Sequence, residues 1–178
     1  MFYYIRNFAN KRLATTIYYA CIYSKISYGI EIYGTAGNTK LNKIQTLQNK
    51  LMKLLTKRDY LEPTNQLHAE LNILKVKDIH RHKTLQFVYN CISGNQIATF
   101  FNYFSTRETQ NQLQLRNRNE LNRRAIRTEI GRSTVQHTGA TLWNDIPNNV
   151  KESNSIQIFK NRLFNELISK YHIQEPAQ

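Results

Sequence analysis

Apolar residues recur along this chain at spacings of three and four, the mark of helices that bury one face. From Leu41 onward they fall at Leu41, Ile44, Leu47, Leu51, Leu54 and Leu55, a single stripe, while Lys40, Lys43, Lys50, Lys53 and Lys57 lie mostly off it. That spacing predicts an amphipathic helix running to about Thr56, with an apolar seam and a basic back, capped by Asn38 or Thr39. Leu13–Ile32 is rich in Ile and Tyr, which would also suit strands, but its length and its lack of turn residues before Gly29 favour helix. Pro63 sets a boundary, and Thr64 caps a short helix with Leu67 and Leu71 inward. Lys77-Asp78 opens another, with Ile79, Leu85, Val88, Tyr89 and Ile92 as its apolar set and an end near Gly94. Ile97–Phe104 reads as a short aromatic helix. Ser155 caps a final helix with the stripe Ile156, Phe159, Leu163, Leu167 and Tyr171. Residues 105–136 break the pattern: they are rich in Arg, Asn, Gln and Thr and poor in apolar anchors, which predicts a long loop or irregular segment. The expected fold class is mostly α, a small helical bundle with an irregular Arg-rich segment. Its parts would be a helical region over 1–104, the Arg-rich segment over 105–136 and a C-terminal helical region over 137–178.

Composition supports a folded chain. Of 178 residues, 40% are hydrophobic and 21% charged, ordinary globular usage. Six Gly and three Pro are too few for a many-turned sandwich or barrel. Cys21 and Cys91 make no disulfide framework and are more often small core residues than ligands or nucleophiles. Nothing calls for an oxidising compartment, so an intracellular setting, nuclear or cytoplasmic, is expected. The most apolar stretch, Leu13 to Tyr33, is interrupted by Thr15, Thr16, Lys25 and Glu31 and falls short of a membrane span. Arg6, Lys11 and Arg12 before it look faintly like the start of a signal peptide, but no small-residue cleavage site succeeds it.

Charge changes the picture most. Twenty-five Lys and Arg against twelve Asp and Glu give +13, which points to a polyanionic partner. Residues 1–60 carry +8 and residues 107–132 carry +4, all seven bases of the latter being Arg. The C-terminal residues 133–178 are neutral. Within the second block, Arg116, Arg118, Arg123, Arg124, Arg127 and Arg132 fall in seventeen residues, interleaved with Asn117, Asn119 and Asn122 and preceded by Asn111 and Arg107. Arginine offers a two-pronged fork to phosphate and a plane that stacks on bases. The competing reading of the same residues is a solvated polar loop.

Catalytic signals are missing. The only aspartates are Asp59, Asp78 and Asp145, and no two carboxylates are spaced for a two-metal site. There is no Gly-rich phosphate loop and no nucleophile elbow. His80 and His82 are two apart, so a helix would turn them to different sides, and they read as solvated histidines on a basic helix. Seven tyrosines occur by Tyr33, with Phe2 and Phe8 beside them. They could form a stacking platform for bases, but for Tyr18, Tyr19 and Tyr23 helix packing is the favoured reading. Trp143, the only Trp, reads as a core anchor, and Asn144 as a bond to the turn before Pro147.

Taken in order, several short segments resemble the C-terminal third of the reverse transcriptase of LINE-type, jockey-like non-LTR retrotransposons. They are Ile17–Gly34, ending Ser-Tyr-Gly-Ile-Glu-Ile-Tyr-Gly; Leu41–Leu55; Leu71–Asp78; Thr106-Arg107; Leu142–Pro147, reading Leu-Trp-Asn-Asp-Ile-Pro; and Phe159-Lys160 after a serine cap. The chain departs from the family at Tyr33, where Trp is usual, and around Ile97, where a Pro is usual. The resemblance implies a region downstream of the polymerase palm: the thumb, a helical layer that grips the template–primer duplex, together with the C-terminal region beyond it. The palm's paired aspartates, which hold magnesium, have no counterpart here, so no catalytic residue, metal or cofactor is assigned to this chain. The implied partners are RNA or an RNA–DNA hybrid and the upstream polymerase domains, with no membrane and no small-molecule substrate. The residues expected at the nucleic acid are Lys43, Lys50, Lys53, Lys57, Arg107, Arg116, Arg118, Arg123, Arg124, Arg127 and Arg132. A stand-alone protein-interaction module and a degenerate retroelement fragment are the alternatives.

Overall fold

The computed structural model describes residues 10–94, 100, 103–105, 120–123 and 125–173, with 172 and 173 described by backbone only. Arg107, Arg116, Arg118, Arg124, Asn111, Asn117, Asn119, Arg6, Phe2 and Phe8 lie outside the described residues, as does most of the expected helix Ile97–Phe104. The chain is mostly α, and no sheet occurs among the described residues. It divides into two compact units, residues 1–80 with 164–178, and residues 81–163. No helix of the described residues is long and apolar enough to cross a membrane.

In the first unit, α1 (Lys11–Ile17) is capped by Asn10, whose Oδ1 accepts from the Leu13 N–H at 2.8 Å. It runs into a π-helical stretch, Tyr18–Tyr23, and then α2 (Ser24–Ser27). Gly29 ends this run in a left-handed conformation (φ 65°) that a side chain would strain, and α3 (Ile30–Tyr33) restarts behind it. The expected helix over 13–32 is therefore present but broken at Gly29. The tyrosines pack: Tyr18 is buried, and Tyr18, Tyr19 and Tyr23 make edge-on and tilted ring contacts. The Tyr19 hydroxyl donates to the Asn72 carbonyl.

α4 (Asn38–Thr56) has Gly37, not Asn38 or Thr39, at its N-cap, with no side-chain cap. Its buried face is Leu41, Gln48, Met52 and Leu55, while Leu47 is 60% exposed. The helix is thus rotated from the expected Leu/Ile stripe, because Gln48 is the side chain with partners inside. Its amide nitrogen donates to the Tyr18 hydroxyl at 2.7 Å and the Leu74 carbonyl at 2.9 Å. Gln45 continues the network, accepting from the Val76 N–H at 2.8 Å and donating to Gln48 Oε1 at 2.8 Å. α5 (Thr64–Leu71) buries Leu67 and Leu71 as expected, but Pro63 occupies its cap position, and Thr64 Oγ1 accepts from Asn49 instead of capping. His68, fully buried in α5, donates through Nδ1 to the Ile73 carbonyl at 2.8 Å, and its Nε2 lies 3.0 Å from the Asn49 side-chain amide.

α6 (Val76–Ile92) begins in the first unit and continues in the second. Ile79, Leu85, Val88 and Tyr89 are buried and Ile92 is largely exposed. In the second unit come α7 (Glu129–Arg132), α8 (Val135–Asp145) and α9 (Asn148–Lys151), and the last helix, α10 (Ile156–Ile173), starts here. Trp143 is the expected anchor: it stacks on Phe159, which stacks on Tyr89 at 4.5 Å between centroids. Gly139 lets α8 close on its neighbour, since a Cβ there would lie 2.8 Å from Val88 Cγ2. Phe87 makes edge-on contacts with Phe100, Tyr103 and Phe104. Ser155 Oγ accepts from the Ile158 N–H at the start of α10, the cap the sequence predicts, and Phe159, Leu163, Leu167 and Tyr171 are buried, with Ile156 at the margin.

The polar network of the first unit makes two outcomes measurable. Gln48→Ala should cost about 2–4 kcal/mol in urea unfolding, because it leaves the Tyr18 hydroxyl and the Leu74 carbonyl unpaired and opens a void. An unchanged midpoint would show that the network does not depend on Gln48. Burial holds the His68 imidazole down to about 4 from its ordinary 6.5. The unfolded chain takes up that proton below about pH 6.5 and the folded chain only near pH 4. Stability from His68 should thus be complete above pH 6.5 and lost as pH falls toward 4, by an amount of the order of 3 kcal/mol, and His68→Gln should flatten the dependence. Urea unfolding at pH 7 and pH 4.5 measures both.

Candidate nucleic-acid interface

The lysines expected at the nucleic acid belong to the first unit and the described arginines to the second, and each set stands on its own support. In α4 the buried face fixes where the lysines go. At about 100° per residue, Lys43 and Lys50 stand on the side of the helix opposite Leu41, Gln48, Met52 and Leu55, about 10 Å apart along the axis. Both are exposed, as is Lys40. Lys57, seven residues beyond Lys50, closes the helix in a left-handed conformation (φ 58°) and is also exposed. Lys53 differs. It is half-buried, its ammonium donates to the Tyr60 carbonyl, and it stands 5.6 Å from the Tyr60 ring centroid. Lys53 therefore ties down the turn after α4.

Among the described residues of the Arg-rich segment in the second unit is an anchor that composition concealed. Leu121 is completely buried, and Asn144 grips its backbone twice. Asn144 Oδ1 accepts from the Leu121 N–H at 2.9 Å, and Asn144 Nδ2 donates to the Leu121 carbonyl at 3.0 Å. Asn144 thus holds a distant segment where the sequence suggested a bond to its own turn. The Asn122 N–H adds a bond to the Ser105 carbonyl. Thr128 then caps the single turn α7, its Oγ1 accepting from the Gly131 N–H. The expected irregular stretch 105–136 therefore holds, among its described residues, a buried anchor, a helical turn and the first residues of α8. Arg123, Arg127 and Arg132 are exposed, and Arg132 Nε donates to the Ile126 carbonyl at 3.1 Å, bracing the turn.

Lys43, Lys50, Arg123 and Arg127 make no ion pair with any described carboxylate, whereas Arg58 pairs with both Glu62 and Glu70. Both units are basic: the first holds thirteen Lys and Arg against seven acids, the second twelve against five.

The histidines are not the solvated pair the sequence suggested. His80 and His82 are each only 8% exposed. His82 Nε2 lies 3.2 Å from the Lys160 carbonyl and its Nδ1 2.7 Å from Gln86 Nε2, and burial pushes its pKa down. Among the described residues no three His, Cys, Asp or Glu side chains are grouped to hold a metal. Cys91 is buried, its thiol pushed up by burial, and Cys21 is half-buried.

Sequence comparison relates the chain to transposon polymerases. Over 72 residues, 40% of its length, it is 36% identical to the probable RNA-directed DNA polymerase from transposon BS of Drosophila melanogaster. Over 70 residues, 39% of its length, it is 31% identical to the probable RNA-directed DNA polymerase from transposon X-element of the same species. The matched stretch spans 8% of each relative's own length. No protein-family model and no solved structure matches the chain.

The grip of Asn144 on Leu121 predicts a local effect. Asn144→Ala removes two backbone hydrogen bonds and should raise the rate of tryptic cleavage at Arg123 and Arg127 about tenfold, while the far-UV circular dichroism of the helices persists. Cleavage at the wild-type rate would show that the segment is held by other means.

Proposed function

We propose that this chain is a nucleic-acid-binding part of a transposon RNA-directed DNA polymerase, from the region after the palm, and that it grips an RNA template or RNA–DNA hybrid. The observation that carries the reading is a +13 chain in which Lys43, Lys50, Arg123 and Arg127 are exposed and unpaired with any described carboxylate. The similarity to polymerases of two transposons supports it. Exposed cations without acidic partners are free to replace the counterions of a phosphate backbone, which supplies affinity without reading sequence. Lys43 and Lys50 would contact phosphates from a rigid helix, with Lys57 at its end. Arg123 and Arg127 would do so from a segment held at Leu121. The magnesium-holding aspartates of such a polymerase would be supplied by the palm.

One observation favours a second, protein-docking role. Tyr28 and Ile32, four residues apart on either side of Gly29, are 86% and 79% exposed. The leucine seam of α4 is a poorer docking face than its sequence suggests, because Leu41 and Leu55 are buried within the unit. Light scattering on the purified chain reads that role directly as a stable oligomer.

Fluorescence anisotropy with a labelled RNA–DNA hybrid tests the leading reading. Affinity should fall steeply between low and physiological salt and vary little with sequence. Lys43→Gln with Lys50→Gln should reduce the log–log salt slope by about two. A chain that binds no nucleic acid at low salt, or binds it independently of salt, ends the proposal.

A further inference from the structure

We propose that the turn closing α4 is a contact for an unpaired nucleotide, with Tyr60 stacking on the base and Lys11 holding the neighbouring phosphate. The inference rests on the nucleic-acid reading above and narrows it to strands that offer an unstacked base.

Tyr60 and Leu61 are 70% and 87% exposed, an aromatic and an aliphatic side chain presented together on a turn. The turn that presents them is fixed from several sides. Lys53 holds the Tyr60 carbonyl and lies near its ring. Asp59 Oδ1 accepts from the Leu61 N–H at 3.2 Å. Arg58 joins the turn to Glu62 and, at 3.0 Å, to Glu70 of α5. An exposed ring held in this way has already lost the freedom that binding would otherwise remove.

Beside the turn lies a cavity of about 190 Å³. Ala14, Leu55 and Leu67 give it apolar lining, and Lys11, Lys57 and Arg58 are its cations, with Glu70 as the one acid, already engaged by Arg58. An enclosed apolar cavity of about 150 Å³ takes a benzene ring, so this open recess has room for one planar ring or a sugar. Arg58 is the second residue before Tyr60, so the backbone carrying one rim cation is at most about 7 Å from the backbone carrying the ring. Cations close along the chain to an exposed aromatic ring, beside a ring-sized recess that is part apolar and part cationic, match the chemistry of single-stranded nucleic acid. A base within a duplex has its faces covered by its neighbours, so a ring of this kind selects strand ends, overhangs and loops.

The test compares a blunt RNA–DNA hybrid with the same hybrid carrying a short single-stranded overhang, by anisotropy at fixed salt. The wild-type chain should prefer the overhang. Tyr60→Ala should weaken overhang binding at least about fivefold while leaving the blunt hybrid unchanged, and Tyr60→Phe should retain the preference. Lys11→Gln should lower the salt slope for the overhang by about one. If the blunt hybrid binds but Tyr60→Ala affects both substrates equally or neither, the contact is overturned and the broader nucleic-acid reading stands. If neither substrate binds at low salt, both fall together.

Discussion

Gln48 governs the first unit. A completely buried amide must find partners or cost the helix a few kcal/mol, and Gln48 finds them in the Tyr18 hydroxyl, the Leu74 carbonyl and Gln45. Those bonds fix the rotation of α4 about its axis. Once Gln48 faces inward, Leu41, Met52 and Leu55 join it at helical spacing, Leu47 is turned outward, and Lys43 and Lys50 are carried to the far side. The basic surface is thus a consequence of a polar contact in the core. Burial keeps His68 neutral, with the nearby Lys75 charge acting the same way, against the Nδ1 bond to the Ile73 carbonyl, which favours the charged ring.

The second unit solves a different problem. A segment dense in Arg and Asn has little hydrophobic reason to settle, and among its described residues a buried leucine does so with help from one amide. Asn144 satisfies both backbone groups of Leu121, as a neighbouring strand would, so the leucine can be buried without a sheet around it. Trp143, the residue before it, fixes α8 through its stack on Phe159. The anchor and the clamp are therefore adjacent in sequence, and the arginines after Leu121 leave the core from a defined point.

Much of this was legible in the sequence, and the parts that were not share a cause. The helices of Leu67, Val88 and Leu163 came from spacing, because apolar side chains that recur every three or four residues have one way to be buried together. The rotation of α4 was hidden because periodicity weighs leucine above glutamine, and only the partner atoms on Tyr18 and Leu74 reverse that order. His80 and His82 looked solvated for a similar reason: their neighbours in sequence are charged, while their neighbours in space are not visible from one helix. The anchor at Leu121 is a pairing across 23 residues, beyond any local pattern. Exposure of Lys43 and Lys50 was legible, but the diversion of Lys53 to Tyr60 needed the turn geometry.

Two of the segments that carry the resemblance to retrotransposon reverse transcriptases, Ile17–Gly34 and Leu142–Pro147, serve as structural hinges and clamps. Gly29 supplies the left-handed break in the Ser-Tyr-Gly motif, and Gly34 meets His80 so closely that a Cβ would lie 2.2 Å from its ring. Leu-Trp-Asn-Asp-Ile-Pro contributes the stacked Trp143, the Asn144 clamp and a proline just past the end of α8. None of these residues is a candidate to touch nucleic acid. Lys43 and Lys50 lie in a third such segment, Leu41–Leu55, on the face of α4 turned away from its buried residues, where one cation can replace another with little effect on packing. A surface that meets phosphates through charge needs the number and exposure of its cations more than their identity. The exposed cations of α4 are therefore located from burial and pairing and not from a motif.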